Sequence, residues 1–270
     1  MTSMPVADPL TAALAALAAD APADLGGRIF ARWVRVPGPV GDVFVASTER
    51  GIAYLRPATA VGDSAERFRA EFQDRQGRPL IPASRPPAGL IPALRTGAAR
   101  GLAYDLTGLS SFDRDVLAAT LTIPSGQLRP YGWVAAEIGR PRAVRAVGSA
   151  LGRNPVPLLI PCHRVTRSDG RPGDYLFGRS MKLSVLEAEG VDLPSLALLA
   201  AAGRRYAGSD RTGVICHPTC PHVRRITAAH RRDFPSVAAA VRAGYRPCRD
   251  CRPAPSVQRR TAQSGGSHPA

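Results

Sequence analysis

Lysine is almost absent from this sequence. Of 36 basic residues only Lys182 is a lysine, and every other cation is an arginine. Long apolar runs are also missing, because no stretch reaches the roughly 18 residues that a membrane-spanning helix needs. The sequence therefore predicts a protein without a membrane partner. Residues 1–27 hold acids and prolines but no basic leader, so a signal peptide is not expected.

Cysteine is scarce and its number is odd. The five cysteines form two close pairs and one isolated residue, which argues against a secreted disulfide framework. A reducing compartment, typical of the cytoplasm, is therefore expected.

Acidic residues are too few to balance the arginines. The net charge is +15, and between residues 204 and 260 thirteen arginines face three aspartates. The C-terminal quarter therefore carries most of the excess charge. A strongly basic balance implies a polyanionic partner, with nucleic acid as the first candidate and an anionic membrane surface as the second.

The order of apolar segments indicates an α+β protein with more than one domain. Three short segments rich in β-branched and aromatic residues, between residues 29 and 55, predict a meander of strands. Helical patterns follow at residues 63–72, just before residue 96, at residues 111–121 and within 193–203. Residues 1–27 are an alanine-rich extension, either helical over residues 10–19 or disordered.

Two short helices about a glycine-containing turn predict a helix-turn-helix. The first spans residues 131–138, and the second runs to about residue 151 with Pro141 in its first turn, where the missing amide costs nothing. Small residues on the second helix would let it lie close to a groove. Four arginines accompany it without an acid among them, which favours DNA contact over a solvated basic face: Arg140, Arg142, Arg145 and Arg153.

An apolar run between prolines ends on the triplet Cys162-His163-Arg164. Hydrogen-bonding or cationic neighbours lower a cysteine pKa, and the thiolate is the nucleophile. A Cys-His pair taken alone is more often a small buried hydrophobe with an accidental neighbour. The flanking residues decide between the two interpretations.

Residues 123–165 read IPSGQLRPYGWVAAEIGRPRAVRAVGSALGRNPVPLLIPCHRV. This stretch resembles the O6-alkylguanine-DNA alkyltransferase family nearly end to end, and the resemblance extends from about residue 28 to about residue 193. It implies a ribonuclease-H-like subdomain over residues 28–108 and a helical catalytic and DNA-binding domain over residues 109–193.

The resemblance also implies the roles of single residues. Cys162 would accept the alkyl group, His163 would take its proton through a water, and Glu189 would orient the imidazole. Asn154 would stabilise the active-site turn. The second helix would enter the minor groove, where Arg145 would take the place of the nucleotide that is rotated out of the stack. The substrate-binding positions implied are Tyr131, Pro157, Val165, Tyr175 and Leu176.

Two features of the substrate loop depart from the family. Leu176 stands where many members have a small polar residue or an arginine, and Phe177 where they have glycine or tryptophan. The carbonyls of Cys162 and Val165 are expected to receive the guanine amino group. Phe177 is expected to narrow the pocket and to favour methyl over benzyl adducts.

The other four cysteines form two tight pairs: Cys216 with Cys220, and Cys248 with Cys251. Such spacing in a short domain with few large apolar side chains predicts one tetrahedral zinc site. Two disulfides are the alternative. His217, His222 and His230 could ligate in principle, but four thiols suffice, and no organic cofactor is expected.

Residues 206–221 and 243–253 resemble the metal-binding domain of the Ada adaptive-response proteins. In that family the first ligand accepts a methyl group from a DNA methylphosphotriester, and the matching residue is Cys216. His217 stands where the family usually has an arginine. The alternative is therefore a zinc module that binds DNA without accepting a methyl group. A phosphate-binding face is expected from four arginines: Arg224, Arg225, Arg231 and Arg232.

Together these features predict a monomeric direct-repair enzyme for double-stranded DNA. It would work in the bacterial cytoplasm, associated with the nucleoid through DNA. It would transfer alkyl groups irreversibly from O6-alkylguanine, and from O4-alkylthymine, to Cys162. Residues 194–203 would be a linker, 204–253 the zinc domain and 254–270 a disordered tail. The alternatives are a lesion sensor without transfer and a methylation-responsive regulator.

Overall fold

The computed structural model describes residue 27 and residues 29–254. The alanine-rich segment at residues 10–19 and the tail from residue 255 onward lie outside the described residues. The α+β class is confirmed, because three sheets and eight α-helices alternate irregularly along the described chain.

A four-stranded sheet opens the described chain. The predicted meander is confirmed as β1 (Ala31–Gly38), β2 (Gly41–Thr48) and β3 (Gly51–Pro57), paired antiparallel, with the short β4 (Leu80–Pro82) parallel to β1. Side chains alternate between the two faces. Phe44 and Tyr54 pack against Phe68 and Phe72 of helix α1 (Ala65–Gln76), whereas Val43 and Val45 face the rest of the molecule.

The main core extends from this second face into the helices that follow. These are α2 (Leu90–Thr96), α3 (Ser111–Leu121), α4 (Tyr131–Glu137), α5 (Val144–Gly152) and α6 (Gly178–Ala188). Val45, Leu117 and Val147 belong to one cluster of buried side chains, which also includes Cys162. The hydrophobic core is therefore continuous across residue 108.

Helix α3 covers the predicted range of residues 111–121. Ser110 is the N-cap, and its hydroxyl oxygen accepts a hydrogen bond from the amide of Asp113, three residues on. The carboxylate of Asp113 lies in the first turn, where the helix dipole favours negative charge.

One prediction about the helix-turn-helix is wrong. Pro141 does not lie in the first turn of α5, which begins only at Val144. The amide of Arg140 donates to the carbonyl of Ala135, and the amide of Ala143 donates to the carbonyl of Arg140. These two bonds close a turn over residues 140–143, so the chain reaches helical geometry three residues later than the proline suggested.

The C-terminal module follows helix α7 (Leu193–Ala201). It contains β7 (Tyr206–Ser209), β8 (Val214–Cys216), β9 (Arg231–Phe234), helix α8 (Val237–Arg242) and β10 (Arg246–Pro247). Its four strands form a second, small sheet in the order β10-β8-β7-β9. A two-stranded parallel pair, β5 (Arg129–Pro130) with β6 (Val165–Thr166), lies in the larger part. No helix in the described part of the chain is long and apolar enough to cross a bilayer.

Candidate active site and metal centre

The turn before Cys162 is held by a single amide side chain. Asn154 donates from Nδ2 to the carbonyl of Ile160 at 2.9 Å and accepts at Oδ1 from the amide of Val156 at 3.0 Å. Leu158, between them, has a φ of 72°, a left-handed conformation that costs roughly 1–2 kcal/mol in a residue with a Cβ. The fold thus maintains a strained turn next to the reactive thiol.

Cys162 lies at the inner end of a cleft. Cys162 is 6% exposed, and its Sγ accepts a hydrogen bond from Asn154 Nδ2 at 3.3 Å. Burial raises the pKa of the Cys162 thiol, while the Asn154 hydrogen bond and the charge of Lys182 act in the opposite direction. The resting group is therefore a thiol that needs a base to become a nucleophile.

The residue after Cys162 pairs with a buried carboxylate. Nε2 of His163 is 2.9 Å from Oε1 of Glu189, and both side chains are almost fully buried. Burial lowers the pKa of His163, so the imidazole is neutral at pH 7. Its other nitrogen, Nδ1, has no partner among the described residues. A neutral histidine with one nitrogen on a carboxylate can accept a proton at the other.

Arg164 completes this group of charges. Its guanidinium donates to both oxygens of Glu189, at 2.6 to 3.1 Å, and to the carbonyls of Ile123 and Gly97. Burial alone would raise the pKa of Glu189, but the hydrogen bonds from His163 and Arg164 lower it to about 2. The carboxylate therefore stays charged under all ordinary conditions.

Lys182 holds the strand that follows the reactive cysteine. Its ammonium, fully buried on α6, donates to the carbonyl of Val165 at 2.6 Å and also to that of Pro172. The carbonyl of Cys162 accepts from the amide of Val165. Both carbonyls expected to face guanine thus already have one partner, although a carbonyl oxygen can accept two hydrogen bonds.

The cleft at Cys162 has a volume of about 800 Å³ and brings together most of the predicted substrate residues. Tyr131, Tyr175 and Leu176 line it. Burial raises the pKa of Tyr131, followed by the charge of Asp174, so its phenol is protonated at neutral pH. Pro157 is buried in the turn and pairs with Ile160 instead.

Phe177 does not narrow this cleft as the sequence suggested. Its ring packs edge-on against Tyr175, with 5.5 Å between ring centroids, and the guanidinium of Arg56 lies 5.7 Å from its centroid. Because Tyr175 stands between Phe177 and the cavity, the phenylalanine supports the wall and is not its surface. The predicted preference for methyl adducts loses its premise.

The four predicted DNA-binding arginines are all exposed on or beside α5. Arg145 lines the cleft that contains Cys162. Arg153 forms an ion pair with Asp113 of α3 at 2.5 Å, and Arg140 lies over the ring of Phe112. Arg142 and Arg145 form no ion pair within the described residues, so their charges are available to a phosphate backbone.

The four remaining cysteines converge in the C-terminal module. Their sulfur atoms all lie within 4.8 Å of one another, and all four residues are at most 5% exposed: Cys216, Cys220, Cys248 and Cys251. A tetrahedral zinc ion with Zn–S bonds of about 2.3 Å needs sulfurs about 3.8 Å apart. The four thiols therefore fit one Zn²⁺, which would be held with a net charge of about −2.

The histidines of this module have other partners or none. His222 contacts Asp250 at 2.5 Å and His230 contacts Asp210 at 2.9 Å. His217 is buried, and burial, followed by the charge of Arg129, lowers its pKa to about 3. None of them belongs to the four-thiol group.

A second cavity, of about 480 Å³, reaches the zinc site from outside. Cys216 and Cys248 line it together with four arginines: Arg211, Arg225, Arg246 and Arg249. Of the arginines expected to bind phosphate, only Arg225 is among them. Arg231 and Arg232 are paired with Asp233 and Asp210, so their charges are already balanced.

Fold and site together define a class of protein. A buried cysteine, followed by a histidine paired with a glutamate, lies in the same domain as a helix-turn-helix, and a four-thiol zinc module follows. This arrangement is typical of a protein that binds nucleic acid and accepts alkyl groups on cysteine. Residues 111–191 match the model of the 6-O-methylguanine DNA methyltransferase DNA-binding domain, and residues 199–254 match the metal-binding domain of Ada.

The chain belongs to the methylated-DNA–protein-cysteine methyltransferase family. It is 32% identical over 163 residues to the family member of Methanosarcina barkeri, which is 57% of this chain and 94% of that protein. It is 34% identical over 175 residues to the regulatory protein Ada of Salmonella typhimurium, covering 61% of this chain and 47% of that protein. The match to the Mycobacterium leprae methyltransferase, 46% identical, covers 32% of this chain and 51% of that protein. The chain thus spans about half the length of several curated relatives.

Among solved structures, the chain is similar to the crystal structure of Mycobacterium tuberculosis OGT in complex with DNA. The sequences are 30% identical, the match covers 63% of this chain and 98% of that chain, and the TM-score is 0.48.

Sequence reasoning missed two residues of the site. Arg164 was visible in the triplet, but only the structure shows that it binds Glu189 together with His163. Lys182 had a usable signal, because it is the only lysine of the sequence. A composition that replaces lysine with arginine elsewhere indicates that an ammonium is needed at this position.

Proposed function

We propose that this protein repairs DNA by transferring an alkyl group from O6-alkylguanine to Cys162. One observation carries the proposal. Cys162 lines a cleft together with Tyr131 and Arg145, and Arg145 belongs to the second helix of a helix-turn-helix. The next residue in the chain, His163, is paired with the buried carboxylate of Glu189.

The lesion lies inside the duplex, so the base must leave the stack to reach the cleft, at a cost of a few kcal/mol. We infer that α5 enters the minor groove, where its small residues permit close approach and Arg145 fills the gap. Exposed Arg140 and Arg142 would contact phosphates, and Arg153 would do so through Nη1, because its other two guanidinium nitrogens are bonded to Asp113. Such contacts are largely independent of sequence, as scanning for damage requires.

The chemistry is an in-line displacement. His163 takes the thiol proton through a water, and the thiolate sulfur forms a bond to the alkyl carbon. The bond from that carbon to O6 breaks, its electron pair goes to the base, and Tyr131 supplies the proton that lets guanine leave neutral. Glu189 keeps the imidazole oriented and stabilises its charged form.

The product is a thioether on Cys162, so each molecule acts once. O4-alkylthymine, which offers the same alkyl-oxygen bond, is a second substrate. No organic cofactor takes part in these steps. We further infer that the protein works as a monomer in the cytoplasm and that Val165, Tyr175, Leu176 and the turn at Asn154 and Pro157 hold the rotated base.

Mass spectrometry of the intact protein and its peptides tests the proposal. After incubation with an O6-methylguanine oligonucleotide, Cys162 should carry one methyl group in place of a hydrogen. Cys162→Ala should bind the same oligonucleotide and gain no mass. Binding without any mass gain in the unaltered protein would instead support a lesion sensor that performs no transfer.

A second acceptor is supported by the cavity at Cys216. Four arginines line this cavity together with Cys216, Cys248 and the single carboxylate of Asp250, so the lining carries a net positive charge that suits a phosphate ester. A zinc-bound thiolate remains nucleophilic without a base, because the cluster is anionic. We infer that Cys216 accepts the methyl group of a DNA methylphosphotriester.

The matching test uses an oligonucleotide with one methylphosphotriester. Methylation of Cys216 and not of Cys162 is expected, and Arg225→Ala should slow it. An unmodified Cys216 in the zinc-loaded protein would leave a passive DNA-binding module. Sequence-specific DNA binding that tightens after methylation of Cys216 would indicate a transcriptional regulator.

A further inference from the structure

The zinc module packs directly against the elements that carry Tyr131. The amide of Leu128 donates to the hydroxyl of Thr219 at 2.8 Å, and the indole of Trp133 donates to the carbonyl of Cys251 at 3.1 Å. Trp133 is 3% exposed. These bonds hold the chain on both sides of Tyr131, and the second of them ends on a zinc ligand.

A buried cation lies between the two bonds. Arg129 is 3% exposed, and its guanidinium donates to the carbonyl of Leu128 at 2.8 Å and to the side chain of Gln127 at 2.6 Å. It lies 5.6 Å from the ring of Trp133. It forms no ion pair with any carboxylate in the described part of the chain. A buried charge without a counter-charge is costly, so a negative group other than a carboxylate is needed near Arg129.

The four-cysteine group is the neighbour of this cation in the zinc module. Arg129, Trp133 and Cys220 line one cavity at the contact between the two parts. Burial lowers the pKa of Arg129, and the negative charges that oppose this effect belong to the four cysteines. With zinc bound, four thiolates leave about two units of negative charge facing a single cation.

We propose that the zinc–thiolate cluster is the counter-charge of Arg129, and that this pair makes zinc loading a condition for the ordered position of Tyr131. The first half rests on the cavity that Arg129 shares with Cys220 and on the bond from Trp133 to Cys251. The second half rests on the proposed transfer at Cys162, because Tyr131 lines that cleft. Alkylation of Cys216 would neutralise one ligand and weaken the pair, which links the two acceptor sites.

Zinc affinity of the full chain tests the charge pair, since coupling between two groups is reciprocal. The variants are Arg129→Met, Arg129→Lys as a charge-preserving variant, and the exposed Arg69→Met on α1 as the control. In competition with a chelator, Arg129→Met should bind zinc about ten-fold more weakly, which corresponds to about 1.4 kcal/mol. Arg129→Lys should lose much less, and Arg69→Met nothing.

Fluorescence gives a second readout that does not depend on repair. In a Trp33→Phe background, Trp133 is the remaining tryptophan, and chelation of zinc should shift its emission to the red. Zinc-loaded Arg129→Met should show part of that shift, whereas zinc-loaded Arg129→Lys should not. The rate of Cys162 methylation should fall in parallel with the shift.

The outcomes separate the two proposals. Unchanged zinc affinity in Arg129→Met, or an equal loss in Arg129→Met and Arg129→Lys, overturns the charge pair. Unchanged methylation of Cys162 after zinc removal overturns the link to Tyr131. Failure of every variant and of the unaltered chain to methylate Cys162, with the expected zinc affinities, overturns the transfer and leaves the charge pair intact.

Discussion

The carboxylate of Glu189 binds two buried side chains at once. It accepts from both His163 and Arg164, and its side chain is 9% exposed. Removing one member of a buried pair typically costs 3–5 kcal/mol, because the other charge is left uncompensated. The same carboxylate therefore contributes to folding and, by our proposal, to proton transfer.

We expect Glu189→Gln to lower the free energy of unfolding by about 3 kcal/mol and to slow methylation of Cys162. The pKa of Glu189 falls from 4.5 to about 2 on folding, so its stabilisation is present above pH 4.5 and is lost as the pH falls towards 2. Urea unfolding between pH 2 and 7 would show a smaller acid-dependent loss in the variant. Identical pH profiles would contradict the assignment.

Lys182 is the residue at which arginine should fail. Its ammonium is fully buried between two carbonyls, and a guanidinium is larger and planar. We expect Lys182→Arg to destabilise the protein by about 2 kcal/mol through overpacking. The exposed Arg179→Lys on the same helix is the control and should change the melting temperature little. An unchanged melting temperature in Lys182→Arg would contradict the inference that an ammonium is needed at this position.

At the scale of elements, helix α5 joins DNA binding to the cleft. Its exposed face carries Arg142 and Arg145, while Val147 and Leu151 pack into the main core. Because the buried face fixes the orientation of the helix, the exposed arginines keep a constant position relative to Cys162. Arg142 is expected to contact phosphate only, whereas Arg145 lines the cleft.

These two arginines should fail in different ways. Arg142→Ala should weaken binding of any duplex and reduce the slope of log affinity against log salt by about 1. Arg145→Ala should reduce the rate of Cys162 methylation in a lesion duplex more than it reduces duplex affinity. Fluorescence anisotropy and mass spectrometry would measure the two effects, with Arg69→Ala as the control. Equal losses of rate and affinity in both variants would contradict separate roles.

At the scale of the molecule, a zinc module packs against the helical part of the chain that contains Cys162. The module has few large buried side chains of its own. One of its two core clusters is built around the four cysteines, and the other consists of Ile215, Val237 and Ala240. A domain of this size relies on its metal to fold. Its contacts to Leu128 and Trp133 therefore depend on zinc as well.

Chelation should therefore unfold the module before the rest of the chain. Residues 206–253 should become sensitive to protease, and amide hydrogens of α4 should exchange faster, while β1 to β3 stay protected. Hydrogen exchange with and without a chelator would measure this, and re-addition of Zn²⁺ should restore protection. Uniform protection after complete zinc removal would show that the module folds without its metal.

Several features could be predicted because they depend on short stretches of chain. The turn from Asn154 to Cys162, the N-cap at Ser110 and the two cysteine pairs each involve residues a few positions apart. Local spacing is enough to define such features, since the chain cannot place these residues far from one another. The α+β class followed in the same way from the order of periodic segments.

Other features depended on packing between distant segments. The bond from Trp133 to Cys251 spans 118 positions and that from Leu128 to Thr219 spans 91, so no spacing rule predicts them. The same holds for Phe177 behind Tyr175 and for Lys182 on the carbonyl of Val165. The sequence by itself determined the Cys162-His163 pair and the four clustered cysteines, because these are properties of residue type and local spacing. Only the tertiary structure decided that Arg129 faces the zinc site, because burial of a charge is a property of the assembled fold.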